Sequence, residues 1–300
     1  MNELDVARYS HLIDPKLHVW GWEIPVYLFL GGVAAGAMVL SSWLALGGAK
    51  PSKVARRLAF APAVLVGLGM GALFLDLAYK LHAWRFYLAF RWTSPMSWGA
   101  WILVVMMPVS LLVALGGLDE AELPWPALAP ARALALRHRP ALLRANLVVG
   151  AGLGLYTGVL LSTLGARALW SSALLGPLFL VSGLSTGAAF LLLFGLSEEE
   201  RHRLHRFDQL AIVVEGLVLF LFLAGLATSG AAGKEAAAML LGGAWAAPFW
   251  VLVVFGGLAL PLLLEALETG YRLRPTALAP VLVLAGGFLL RVIFVAAGQA

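Results

Sequence analysis

The chain has 300 residues, of which 61% are hydrophobic and 12% charged, with a mean hydropathy of +0.90. A soluble domain cannot hide that much apolar surface, and ordinary charge content is about twice as high. The net charge of +5 does not indicate nucleic acid, because Lys and Arg lie between apolar runs, and the lack of any cysteine excludes a Cys-ligated iron–sulfur cluster or a disulfide.

Eight runs are long enough to cross a bilayer, each needing about 20 apolar residues. No run of short alternating strands suggests a β-barrel. The expected fold is an all-α integral membrane protein with eight transmembrane helices. Met1 to Trp22 is too polar for a cleaved signal sequence and has no twin-Arg pair. The first span is therefore expected to act as an uncleaved insertion signal. The spans are placed at 25–47, 57–80, 95–117, 142–165, 172–195, 207–229, 245–267 and 276–298.

Loop charges alternate between two sides. Thirteen Lys and Arg fall on one side, in the loops around Arg56, Arg139, Arg203 and Arg272. Seven fall on the other: Arg8, Lys16, Lys80, Arg85, Arg91, Arg167 and Lys234. The richer side is expected to be cytoplasmic. Both termini then lie on the outer, periplasmic side.

Between spans two and three, Leu81 to Trp98 holds Trp84, Phe86, Tyr87, Phe90, Trp92 and Trp98, which suits the membrane–water interface. On the inside, Asp119 to Arg139 ends in ARALALRHR. This fits a short amphipathic helix on anionic lipid as well as it fits a plain charged connector. A weak repeat relates LFLGGVAAGAMVL in span one to LFLVSGLSTGAAFLL in span five. Each copy has glycines four apart, Gly32/Gly36 and Gly183/Gly187, as do Gly67/Gly71 and Gly150/Gly154/Gly158. This spacing lets helix backbones approach closely, and packing is the expected role of all these glycines. The repeat divides the chain into an outer segment 1–24, a four-helix unit 25–165 and a second unit 166–300.

The most informative stretch is Tyr156 to Gly187, a helical hairpin with Tyr156, Ser182, Ser185 and Thr186 inside its spans. Polar groups in spanning helices are functional candidates by default. Glu23, Tyr27, Asp76, Tyr156 and Arg291 are expected near one outer depth, close to Trp20, Trp22 and Trp98. Interfacial charge could account for Glu23, and belt aromatics for Trp22 and Tyr27. Asp76 and Arg291 could form a structural ion pair. Tyr156 is deeper, flanked by Gly154 and Gly158, and favours function.

A second set faces the cytoplasmic half. Asp208 and Glu215 are seven apart on one helix face. With Ser182, Ser185, Thr186 and Glu265 they could carry protons partway across. Against this, Asp208 could simply cap a helix and Glu265 could sit at the interface, whereas Glu215 resists a bland explanation. All six histidines are placed in loops or termini, which leaves no paired helix histidines for haem.

The chain resembles the NrfD/PsrC membrane subunits of nitrite and polysulfide reductase complexes. The likeness rests on IPVYLFLGGVAAGA at Ile24 to Ala37, on LDL followed by TSPMSWGAW at Leu75 to Trp101, on YTGVLLS…ARALWSS…LFLVSGLSTGAA at Tyr156 to Ala189, and on LLRVIFVAAGQ at Leu289 to Gln299. It covers nearly the whole chain. The resemblance implies an eight-helix respiratory oxidoreductase subunit in the cytoplasmic (inner) membrane of a bacterium or archaeon. It would exchange electrons between menaquinone or ubiquinone and a ferredoxin-like iron–sulfur subunit on the outer face. In many members a molybdopterin catalytic subunit or a multihaem cytochrome completes the complex.

In the polysulfide reductase branch the quinone pocket uses a Tyr-x-Gly pattern in span four, which Tyr156-Thr157-Gly158 matches. That branch also places an Asn and a His at the outer end of span one. Ile24 and Tyr27 stand there instead, leaving Glu23 and Tyr27 as candidate replacements. The resulting expectation has Tyr156, Glu23 and Asp76 in the chemistry and Tyr27, Trp22, Trp98 and Arg291 around the quinone, with Arg291 holding Asp76 ionised. Protons would move through Asp208, Glu215, Glu265, Ser182 and Thr186. A proton-coupled or ion transporter is the rival from another class, and a passive anchor a third reading. Terminal substrate and direction of electron flow belong to the partners, whereas the quinone type turns on the head-group contacts in which this chain departs from that branch.

Overall fold

A computed structural model of the chain describes residues 20–48, 51–77, 79–88, 90–165, 167–271 and 276–299. The expectations for Arg8, Lys16, Lys50, Arg272, Arg274, His11 and His18 fall outside these residues. Among the described residues the regular structure is all helical, and eight helices are long and apolar enough to cross a membrane.

In chain order, α1 is Glu23–Leu46, α2 the short Lys53–Leu58, α3 Ala61–Asp76 and α4 Pro95–Gly117. Next come α5 at Ala129–Arg137, α6 at Arg139–Ser162, α7 at Leu175–Leu192, α8 at Glu198–Thr228 and the short α9 at Ala231–Leu241. The seventh span joins Ala246–Pro248, a π-helical stretch Phe249–Ala259 and α10 at Leu260–Tyr271; α11 is Leu278–Gln299. Apolar run length places most ends within a few residues. The sixth span is the exception, since its helix starts at Glu198 and not near residue 207. Ser197 and Glu200 form a capping box there: the Ser197 hydroxyl accepts from the Glu200 N–H, and the Ser197 N–H donates to the Glu200 carboxylate at 3.0 Å.

Two helices are central. α1 packs along α3, α6 and α7, and α7 packs along α6, α8 and α11. They cross at the paired glycines of the sequence repeat. A Cβ at Gly36 would overlap the Gly183 carbonyl and sit 2.9 Å from the Gly187 Cα, and one at Gly183 would sit 3.0 Å from the Gly32 oxygen. Only glycine permits so close a backbone approach, and van der Waals contact of this kind is what holds helices together in lipid. Gly158 does the same against the Leu175 carbonyl of α7. Gly67 and Gly71 do not, because a Cβ at either meets nothing within 4 Å. The packing role expected of that pair is corrected.

The two ends of the bundle are fastened differently. At the basic end, Glu200 also accepts from the Ser52 N–H at 3.0 Å, tying the start of α8 to the N-cap of α2. Arg56 pairs there with Asp119 at 2.9 Å and Glu122 at 3.3 Å. The following segment does form a helix, α5, and Arg132 Nε donates to the Leu118 carbonyl. At the opposite, aromatic end, Gln299 exchanges two hydrogen bonds with the Trp20 backbone. Trp170 stacks on Trp20 at 5.2 Å and donates to the Phe294 carbonyl at 2.8 Å.

The π-helical stretch widens the seventh span. Its last turn is closed by the Leu260 N–H bonding to the Phe255 carbonyl, and Pro261, which has no N–H to give, comes next. Gly257 lies against Gly286 of α11, where a Cβ would be 2.6 Å from the Gly286 Cα.

Candidate functional site

Apart from Asn146, which ties α6 to Met38 and Ser42 of α1, two groups of polar side chains inside the helices contain the residues singled out above. The first is a pair of phenols near the aromatic end. Tyr27 is one turn into α1, where its ring packs against Gly69 of α3, 3.6 Å from where a Cβ would be. Tyr156 is in the last third of α6, and its phenol lies directly on the Gly99 backbone of α4, so that any Cβ there would overlap it. Each is only 6% exposed, and the two are within electrostatic range of one another. Neither hydroxyl makes a hydrogen bond to any described residue. Neither oxygen is among the fully enclosed, unpartnered atoms, so each phenol is buried but its hydroxyl keeps some accessible surface and is free to donate. Tyr87, in the short helix Arg85–Leu88, is within electrostatic range of Tyr27, and burial raises its phenol above the usual tyrosine pKa.

The other residues expected at this depth divide. Glu23 opens α1 one turn before Tyr27, half-buried, with its carboxylate folded back beside Gly21. Trp22 is 61% exposed. Trp98 is 39% exposed and donates from Nε1 to the Trp92 carbonyl at 2.8 Å. Asp76 ends α3 exposed.

Arg291 is not beside Asp76. It is fully buried, and Nη1 donates to the Ser182 hydroxyl at 2.9 Å and to the Gly287 carbonyl at 2.7 Å, while Nη2 reaches the Phe179 carbonyl. Its guanidinium lies over Gly32 of α1 and faces the Phe179 ring at 5.2 Å. Its acidic neighbour is Glu215, which lies within electrostatic range of the guanidinium. The expected Asp76–Arg291 pair is therefore corrected: the acid within electrostatic range of Arg291 is Glu215. A buried guanidinium needs a partner at its own depth, and Glu215 in the middle of α8 is there where Asp76 is not.

Arg291 thus begins the second group. Below Glu215 on α8, Asp208 is buried, accepts from the Ser185 hydroxyl at 2.8 Å, and interacts with both Glu215 and Glu265. Glu265 on α10 is fully buried and faces His205 Nδ1 at 3.6 Å. Thr186 bonds back to the carbonyls of its own helix. Asp208 caps nothing, being well inside α8, and Glu265 is enclosed by protein. His205 and His202 lie on α8 and not in a loop. His205 escapes sequence reasoning because the polar first turns of α8 read as a connector; the Ser197–Glu200 capping box is the available signal. The result is a line of ionisable groups, His205–Glu265–Asp208–Glu215–Arg291, drawn from α8, α10 and α11. Asp208 Oδ2, both Glu265 oxygens and Arg291 Nε have no hydrogen-bond partner among the described residues. Near its basic end a cavity of about 270 Å³ is lined by Arg201, His205 and Thr276.

Eight apolar spans with polar side chains held within them define a multi-pass membrane protein. The family described as Polysulphide reductase, NrfD matches residues 12–300, and the chain belongs to it. It is 33% identical to the C subunit of the polysulfide reductase of Wolinella succinogenes, over 94% of each protein. It is 32% identical to Protein NrfD of Escherichia coli, over 94% of this chain and 95% of that one. It is 26% identical to the Hdr-like menaquinol oxidoreductase integral membrane subunit of Archaeoglobus fulgidus, over 97% of this chain and 75% of that one.

Proposed function

We propose that this chain is the membrane subunit of a respiratory oxidoreductase in the cytoplasmic membrane of a bacterium or archaeon, exchanging electrons between a quinone or quinol and a peripheral iron–sulfur subunit. The observation that carries this reading is the pair of buried, unpartnered phenols of Tyr27 and Tyr156. Membership of the NrfD family and the named activity of the menaquinol oxidoreductase relative support it. When bound, a quinone supplies two-electron, two-proton chemistry at its two carbonyl oxygens. The Tyr156 and Tyr27 hydroxyls each donate a hydrogen bond to one such oxygen. A fixed donor in a site shielded from water stabilises negative charge developing on that oxygen more than it stabilises the neutral ketone. Glu23, half-buried one turn away, exchanges protons between this site and the aqueous edge. Asp76, exposed at the end of α3, is a second exchange point at the same edge.

The excess of Lys and Arg at the other end makes the aromatic end the outer face. The iron–sulfur subunit docks there, with a molybdopterin subunit or a multihaem cytochrome behind it. In the test, Tyr156→Phe lowers quinol-linked turnover of the intact complex roughly 10²-fold, the scale for losing one such donor, and leaves the helical circular dichroism unchanged. Full turnover in that variant removes Tyr156 from the site.

The line from His205 to Arg291 favours an added role in proton movement. It runs from the cytoplasmic end to mid-membrane and leaves several acceptor oxygens free. Glu265, Asp208 and Glu215 pass a proton stepwise, while Arg291 fixes Glu215 at the inner end of the line. A proton-to-electron ratio in liposomes above that of quinone chemistry alone supports this role, and a ratio equal to it removes it.

A further inference from the structure

The two phenols are enclosed on most sides, and each seam can be inspected. Between α1 and α7 the backbones touch at Gly36, Gly183 and Gly187. Between α6 and α7 they touch at Gly158 and Leu175. α1 closes on α3 where Tyr27 and Leu30 cover Gly69, and α6 closes on α4 where Tyr156 covers Gly99. The seam between α3 and α4 is different. These helices scarcely meet each other, although each packs along a neighbour, α3 on α1 and α4 on α6. The buried cluster to which both contribute draws on Val66 in the basic half of α3 and on Leu103 and Met106 at mid-depth in α4. Nearer the aromatic end the flanks are apolar and open, with Phe74 and Leu75 on α3 and Met96 and Trp101 on α4 all exposed.

Among the described residues the connection between the two helices brings Tyr87 within electrostatic range of Tyr27, and its later part leaves the flank of α3 uncovered. It is gathered onto α4: the Arg91 N–H donates to the Ser97 hydroxyl at 3.0 Å, Trp98 bonds to the Trp92 carbonyl, and Phe90 meets Trp101 edge-on at 5.8 Å. Met70 packs both against the cluster that contains Tyr27 and against the one that contains Leu103 and Met106, which puts it at the floor of the slit.

We propose that the slit between α3 and α4 is a lateral portal that holds the hydrocarbon tail of the lipid-soluble quinone. This inference rests on the proposed quinone reading and names the route its ligand takes. A head group held by Tyr27 and Tyr156 must trail its tail through some seam. The tail is an apolar chain that gains nothing from water and nothing from the polar line around Arg291. The α3–α4 slit is apolar, opens toward lipid, and ends at both phenols.

The test uses the full chain in nanodiscs and a menaquinone analogue with a diazirine at the end of its tail. A tailless naphthoquinone serves as competitor. Photolabelling that the competitor suppresses is expected on peptides from Ala61 to Asp76 and from Pro95 to Val105. Suppressible labelling confined to α7, α8, α10 or α11 overturns the portal. A second arm substitutes Met70→Trp to narrow the slit. The long-tailed analogue is expected to bind roughly fivefold more weakly or worse, with the tailless one changed less than about twofold. Equal weakening of both, or of neither, overturns it too. Failure of the tailless compound to bind wild-type protein would instead sink the quinone site itself, and the portal with it.

Discussion

The two polar groups inside this bundle solve the same problem in opposite ways. In the line from His205 to Arg291, buried charges answer one another: Glu215 faces Arg291, Ser185 donates to Asp208, and His205 faces Glu265. Around Tyr27 and Tyr156 the neighbours are glycine and hydrocarbon, and nothing described answers the hydroxyls. Burying a polar group is costly unless it is bonded. The line is answered only in part, since Asp208 Oδ2, both Glu265 oxygens and Arg291 Nε have no hydrogen-bond partner among the described residues, whereas neither phenol is answered at all, which suits a guest. On the proposed reading, that contrast separates a ligand site from a conducting line within one fold.

The contrast is most exposed at Arg291. Arg291→Met leaves Glu215 buried without its cation, and removing one member of a buried pair costs about 3–5 kcal/mol. Thermal unfolding in detergent should show that loss, and adding Glu215→Gln should recover most of it. Equal stability of Arg291→Met and wild type would mean that the line is not a coupled network. Next in size is the roughly 10²-fold loss of turnover expected for Tyr156→Phe. Its counterpart is Asp208→Asn, which should abolish proton movement beyond quinone chemistry while turnover stays within about threefold. If both variants lost turnover alike, the two groups would be one site. The smallest effects are expected from Asp76→Asn and Trp22→Leu. These residues are exposed, and each variant should change turnover less than about twofold.

Much of this is legible before any geometry. Apolar run length locates the eight helices, because a spanning helix has to be about 20 residues long and has nowhere to put charge. The Gly32/Gly36 and Gly183/Gly187 spacing identifies two close-packing faces, though not that they pack on each other. Azimuth is not legible: linear position gives depth in the membrane but not direction around the helix. Linear position also gives depth only coarsely: it groups Arg291, in the middle of α11, with Asp76 at the very end of α3, when its acidic neighbour is Glu215. Blindness to azimuth makes Gly67 and Gly71 look like packing residues although they face open space. Hydropathy also starts the sixth span too late, since Glu198 to Arg206 is helical but polar. The π-helical stretch leaves no periodic trace.

The buried Arg291 also bears on how the chain enters the membrane. It lies in the last span, and its acidic neighbour Glu215 is in the sixth. A lone Arg at the centre of an inserting helix costs about 2.5–3.5 kcal/mol on translocon scales. Because synthesis runs from the N-terminus, α8 is already in the bilayer when α11 emerges. The order of these two helices along the chain thus means that the cation arrives where its counter-ion waits. A chain with the two exchanged would have to leave the charge stranded in lipid until its partner was made.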